Sequence, residues 1–252
     1  MKKILFLTIL SLILTISAVS HATPAGNPAD PVLLIGTYPV KGEAIVDIVF
    51  ERGLDLSNDN ATVEGIWYLG KVGVTMIEKI DVYGLLGTAK LELKDWTTSN
   101  YDMESDYALA WGGGATILLY ETEEYGDGIL RLSLDGNYRQ YEPGIEKVKK
   151  SGSEVTGILE KEFEYREWQV GVGVSYTLDN LTPYLGVKYS DCESKMRLHE
   201  PAANITKKTA NSKDVVGVFV GVDYLFAENI ALNLEGRLID ETALNVGMKI
   251  NF

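Results

Sequence analysis

Residues 244–252 read LNVGMKINF, a strict alternation of apolar with small or polar side chains. Leu244, Val246, Met248, Ile250 and Phe252 share one parity, while Asn245, Gly247, Lys249 and Asn251 share the other. A β-strand sends successive side chains to opposite faces, so this segment has an apolar face ending in an aromatic ring and a small or polar face. The pattern recurs upstream. Ile230, Leu232, Leu234 and Leu238 alternate with Asn233, Glu235 and Arg237. Val216, Val218, Val220, Val222, Tyr224 and Phe226 oppose Gly217, Gly221 and Asp223. From Trp168, Val170, Val172, Val174 and Tyr176 oppose Gln169, Gly171, Gly173 and Ser175. Charges placed mid-strand opposite an apolar face suit a sheet with lipid outside and a polar lumen within.

Six further strands are expected at about 44–54, 63–77, 80–94, 107–120, 128–140 and 182–194, which makes ten, within a range of 8 to 12. Val32 to Val40 is open between an added strand and a periplasmic segment. Connections nearly alternate in length, as in transmembrane barrels with short periplasmic turns and longer outside loops. Short links fall at Glu78 and Lys79, Asp179 to Leu181 and Ala227 to Asn229, with a longer one at Glu121 to Asp127. Asp95 to Asp106, Tyr141 to Glu162 and Cys192 to Lys213 are long and polar, whereas the outside links Ser57 to Asn60 and near Glu241 are brief. The fold class expected is all-β: a transmembrane antiparallel up-and-down barrel with both ends in the periplasm. Tyr68, Trp96, Tyr107, Tyr138, Trp168, Tyr176, Tyr184, Tyr189, Tyr224 and Phe252 lie near predicted strand ends and are expected to form aromatic girdles.

The N-terminus supports an exported protein. Lys2 and Lys3 precede an apolar run from Ile4 to Ile16 and then small residues, with cleavage expected after Ala22. That run is shorter than the roughly 20 residues a spanning helix needs. The expected organisation is a signal peptide at 1–22, an N-terminal periplasmic segment at 23–43 and an outer-membrane barrel at 44–252. The chain has 23 basic against 36 acidic residues and a net charge of −13, which argues against nucleic acid as a partner. Cys192 is the single cysteine, so it can enter only an intermolecular disulfide.

Lumen-facing charges are the candidate site: Asp47, Lys71, Lys90, Arg131, Asp135, Arg139, Lys188, Asp223, Glu235, Arg237 and Lys249. In a water-filled channel such charges select ions, and in a barrel of ten strands they can instead pair and fill the interior, for example Glu235 or Asp223 with Arg237. If the barrel conducts, replacing Arg131 and Arg139 by Ala is expected to raise cation preference.

No enzyme is expected. His199 beside Glu200 has no Ser or paired-Asp motif with it. Gly112 to Gly114 is not followed by the Lys-Ser/Thr of a phosphate loop, and no metal or cofactor site is expected. The basic cluster Lys147, Lys149 and Lys150 lies in the longest expected loop and is read as solvated, or as touching anionic lipopolysaccharide.

Several segments resemble the chlamydial major outer membrane protein, a porin family. They are ATPAGNPADPVLLI at 22–35, DIVFERGLDLSND at 47–59, EWQVGVGVSYTLDNLTPYLGVKYSD at 167–191, KMRLHEP at 195–201, and NIALNLEGRLIDETALNVGMKINF at 229–252 with the terminal Phe252 in place as an assembly residue. The resemblance implies passive diffusion of small hydrophilic solutes through a barrel in outer-membrane lipid, assembly as a homotrimer and a contribution to envelope structure. The chain departs from the family in its shorter length and single cysteine. A non-conducting structural or adhesive barrel acting through its loops is the alternative, and a soluble lipid-carrying barrel is a third.

Overall fold

A computed structural model describes residues 40–56, 60–76, 79–96, 101–122, 128–155, 160–199 and 206–252. The expected signal peptide, 1–22, lies outside these residues, as does the expected periplasmic segment 23–43 apart from its last four residues, which belong to the first strand. In chain order the strands are β1 (Val40–Asp55), β2 (Asn60–Met76), β3 (Ile80–Trp96), β4 (Tyr101–Ser105), β5 (Ala108–Glu121), β6 (Ile129–Tyr141), β7 (Ile145–Lys150), β8 (Ser153–Glu154), β9 (Glu160–Thr177), β10 (Leu181–His199), β11 (Thr206–Ser212), β12 (Val216–Ala227), β13 (Ile230–Leu238) and β14 (Thr242–Asn251).

Ten of them close a ring of antiparallel neighbours: β1, β2, β3, β5, β6, β9, β10, β12, β13, β14 and back to β1. The closing seam runs from Lys41 opposite Asn251 to Glu51 opposite Thr242. Closure matters because every backbone donor and acceptor in hydrocarbon needs a partner within the chain, and a ring leaves no edge. The ten strands expected from the sequence are these ten.

Period two holds around the ring. Val72, Leu86, Leu109, Trp111, Leu185, Val187, Val220, Leu232 and Met248 face outward and are exposed, while Asp47, Arg139, Glu235, Arg237 and Lys249 are buried inside. An outward apolar band over an inward charged face is the inverse of a water-soluble barrel and the signature of one in lipid. Tyr107, Trp111, Tyr138, Trp168 and Tyr189 are exposed on this band, and two pairs of them touch, Trp111 with Tyr138 and Trp168 with Tyr189. Tyr68, Tyr224 and Phe252 are exposed on the same face. Trp96 and Tyr184 depart from the girdle expectation. Both are buried: Tyr184 lies on the inward parity of β10, while Trp96 is carried inside by an irregularity, since Asp95 has a φ of 56° and the β3–β4 register shifts between Leu93 and Trp96.

The long polar links are not simple loops. Beyond Tyr189, β10 leaves β12 and pairs instead with β11 from Glu193 to Leu198. β1 likewise leaves β14 after Glu51 and meets β11 at Leu54 and Asp55. One strand therefore replaces three, and the barrel narrows at the end away from the termini. On the opposite wall β3 exchanges β5 for β4, which pairs with β7. This outer tier is filled by an apolar core that includes Leu54, Val63, Trp67, Leu91, Leu93, Trp96, Met103, Val148, Phe163, Tyr165 and Met196. Burying such side chains stabilises by roughly 1.5–3 kcal/mol each, which accounts for ordered strands where polarity alone suggests solvated links. Lys147, Lys149 and Lys150 consequently sit on β7, not in a loop.

Candidate functional site

Inside the barrel, ten strands aim their polar parity at one another, and the charges sort into layers. At the end carrying the termini, Lys41 pairs with Asp81, Lys71 lies 3.5 Å from Glu43, and Lys249 lies 3.2 Å from Asp223. Asp135 accepts hydrogen bonds from Tyr83, from Thr116 at 2.6 Å and from Asn137 at 3.1 Å. Arg131 pairs with Glu121 and donates to Thr177. Lys41, Glu43, Lys71, Asp81, Tyr83 and Lys249 line a small recess at this end. Among the described residues, Ser133, Ser175 and Asn245 each bury a side-chain oxygen with no hydrogen-bond partner.

Deeper in, Tyr184 donates to Glu235 at 3.0 Å, and beyond it lies a dense ionic layer. Arg237 reaches Asp47 at 3.0 Å, Glu241 at 3.1 Å and Glu235 at 3.6 Å. Arg139 reaches Glu167 at 2.5 Å and Asp47 at 3.5 Å, with its guanidinium 4.5 Å over the Trp67 ring. Arg52 reaches Glu167 at 2.5 Å and Glu241 at 3.7 Å. Lys188 pairs with Glu241 and lies 2.8 Å from Asp240. A buried charge is tolerated only with an opposite partner, and each cation here has at least two. The apolar core of the outer tier caps this layer.

Ten of the eleven expected lumen charges face the interior, and all ten are engaged in these contacts. Lys90 does not. The inward side chains of β3 are odd-numbered, Asp81, Tyr83, Leu85, Ala89, Leu91 and Leu93, so Lys90 points outward. There it pairs with Glu104 at 2.6 Å and Glu146 at 3.1 Å and lies over the Tyr107 ring. The expected pair of Arg237 with Glu235 is present, but Asp223 pairs with Lys249 instead.

Cys192 also departs from expectation. It is 2% exposed on the inward face of β10, with its Sγ accepting from Ser212 Oγ at 3.3 Å, so burial removes it from reach of a second chain. Phe252 is exposed at the end of β14, where its amide donates to the Val40 carbonyl. His199 ends β10 opposite Glu160, and Glu200 lies outside the described residues.

Four members of the ionic layer were not among the expected residues: Arg52, Glu167, Asp240 and Glu241. Arg52 is hidden by a bulge. The β1 register shifts after Val49, so the inward parity passes from Ile45, Asp47 and Val49 to Arg52 and Leu54. Glu167 precedes the expected start of its strand at Trp168, although it continues the odd parity of Gln169 and Gly171. Asp240 and Glu241 sit in what reads as a brief outside link.

Comparison with known proteins gives the same family that the sequence resembles. The family model of the Chlamydia major outer membrane protein matches residues 136–206. The chain is 24% identical over 245 residues to a major outer membrane porin of Chlamydia pneumoniae, a match covering 71% of this chain and 62% of the relative. It is 25% identical over 216 residues to the major outer membrane porin, serovar F, of Chlamydia trachomatis, covering 60% of this chain and 53% of the relative. The chain thus spans between half and two thirds of the length of the curated relatives it matches. Among solved structures, the outer membrane protease OmpT of Escherichia coli superposes with a TM-score of 0.46 at 11% identity, covering 85% of this chain and 94% of that one, a likeness that carries no inference about function.

Proposed function

From its likeness to the chlamydial major outer membrane porins, we propose that this chain is a multi-pass outer-membrane barrel of porin type, which contributes to envelope structure and passes ions or small hydrophilic solutes. The observation that supports this most is the sidedness of the ten-strand ring: apolar side chains meet lipid, and Asp47, Arg139, Lys188, Glu235 and Arg237 line the interior. A barrel needing only lipid anchorage would gain by filling that interior with apolar residues, since burying ion pairs is often less favourable than packing hydrophobes of equal volume. The elaborated outer tier takes the extracellular side, as the longer connections of such barrels do. Assembly as a homotrimer is part of the proposal and is tested by cross-linking in detergent. No catalytic role is assigned to His199.

Because Arg52 and Glu167 bridge the lumen, transport on this reading needs the ionic layer to part, and the conductance is small. Planar-bilayer recordings and liposome swelling with sugars of graded size test it. Expected are small ionic currents from the refolded barrel and larger ones from an Arg52→Ala/Glu167→Ala variant. Silence from both ends the porin reading.

A second reading, a non-conducting structural or adhesive barrel, is favoured by the apolar core that caps the ionic layer. The same recordings separate the two.

A further inference from the structure

The connection between β13 and β14 folds back into the barrel. Ile239 has a positive φ of 88° and is 68% exposed, although a β-branched side chain strongly disfavours that backbone region. Strain of this kind persists only where surrounding contacts impose it. Here they are the two following carboxylates, Asp240 and Glu241, whose side chains are both fully buried. Asp240 Oδ2 accepts from Ser190 Oγ at 2.5 Å and lies 2.8 Å from Lys188 Nζ. Glu241 Oε1 pairs with Lys188 and lies 3.1 Å from Arg237 Nε, and its Oε2 lies 3.7 Å from Arg52 Nη1.

The seat is shaped for a carboxylate. A Cβ on Gly217, in the adjacent wall, would overlap both the Oδ1 and the Cγ of Asp240, so a recess is left open where the oxyanion rests. Among the described residues none donates a hydrogen bond to Glu241 Oε2 or Asp240 Oδ1, so the pocket meets these two oxygens mainly with charge. Three cations and one hydroxyl from three strands thus converge on two adjacent anionic groups supplied by a strained turn at the rim.

We propose that Arg52, Lys188, Ser190 and Arg237 form a binding site for a small oxyanion carrying two negative charges, of the phosphate or dicarboxylate class, and that the Ile239–Glu241 turn occupies this site as a tethered plug. The tether supplies an effective concentration that free anions match only at high levels, so the site stays self-filled until the turn lifts. With the turn withdrawn, Lys188 loses both of its carboxylates, while Arg52 keeps Glu167 and Arg237 keeps Asp47 and Glu235, so the layer gains a net cationic seat centred on Lys188. This deepens the porin reading and rests on it for its transport meaning, because the seat lies on the proposed solute path.

The test follows thermal unfolding of the full refolded barrel in detergent, with inorganic phosphate as the probe. In Asp240→Asn/Glu241→Gln the turn loses the charge that holds it in the seat, so the free anion displaces it and meets the cations. Phosphate at ten times its Kd is expected to raise the unfolding midpoint of this variant by about 3–6 °C, while chloride at matched ionic strength is not and the self-filled wild type does not respond. Equal shifts in both proteins, or none in the variant, overturn the proposal. Should the double variant not refold, Gly217→Ala displaces the Asp240 carboxylate with every charge retained, and the same phosphate-specific gain is expected from it. Conductance is recorded separately: a phosphate shift without current removes the porin reading and keeps the site, and current without a phosphate shift does the reverse.

Discussion

Arg52 on β1 and Glu167 on β9 meet at 2.5 Å across the width of the barrel, with four strands between them on either side of the ring. Neither side chain has measurable contact with solvent. Their contact, with Arg139 on the second oxygen of Glu167 and Glu241 beside Arg52, ties opposite walls together within the buried ionic layer.

Arg52→Ala leaves Glu167 and Glu241 with less compensating charge in a buried layer. The expected loss is about 3–5 kcal/mol, read from urea unfolding of the refolded barrel. An Arg52→Met/Glu167→Met variant is expected to lose much less, because both desolvated charges go together. Equal losses in the two variants would contradict a net-unfavourable buried pair.

Gly87 on β3 approaches the backbone of β2 so closely that a Cβ there would overlap the Tyr68 carbonyl oxygen, whereas a Cβ on Gly84, three residues earlier, meets nothing. Gly87→Ala is expected to destabilise by about 1–3 kcal/mol through strand displacement. Gly84→Ala should be near neutral, and the midpoint of heat-modifiable gel mobility compares the two.

Glu104 on β4 and Glu146 on β7 are both held below the usual carboxylate range, in each case chiefly by a hydrogen bond from Lys90. A lowered carboxylate stabilises the folded form above its unfolded pKa of 4.5, and that contribution is lost as pH falls toward the depressed folded value. Glu146 is exposed and Glu104 half-buried, so solvent screening keeps the effect small. Amide exchange in β4 and β7 is expected to speed up below pH 4.5 before exchange in β13 and β14 does. Simultaneous loosening would assign the acid response to the membrane barrel instead.

Arg139 holds Asp47 and Glu167 in the ionic layer, and Arg131 lies at the end carrying the termini beside Glu121. Replacing both by Ala removes positive charge from two levels of the lumen. Reversal potentials across a salt gradient are expected to shift toward cations. Unchanged selectivity would place the ion path elsewhere.

The expected strand count, the closed ring and the inward placement of ten of eleven charges were all legible in the sequence. Period two is local: LNVGMKINF assigns Lys249 to the lumen and Met248 to lipid whatever its neighbours do. Departures arise where a local count meets a non-local event. A bulge after Val49 carries Arg52 inside, and Lys90, expected in the lumen, lies on the outward parity of β3.

Alternation along one strand is dictated by backbone geometry alone, and it is enough to specify the barrel, its lipid face and its charged interior. The replacement of β12 to β14 by β11, the shared core of Leu93, Met103 and Phe163, and the inward turn of Glu241 to Lys188 come from folding in three dimensions. Those outcomes depend on which segments come to lie side by side when the ring closes, and partners that far apart in the chain leave no periodic trace in it.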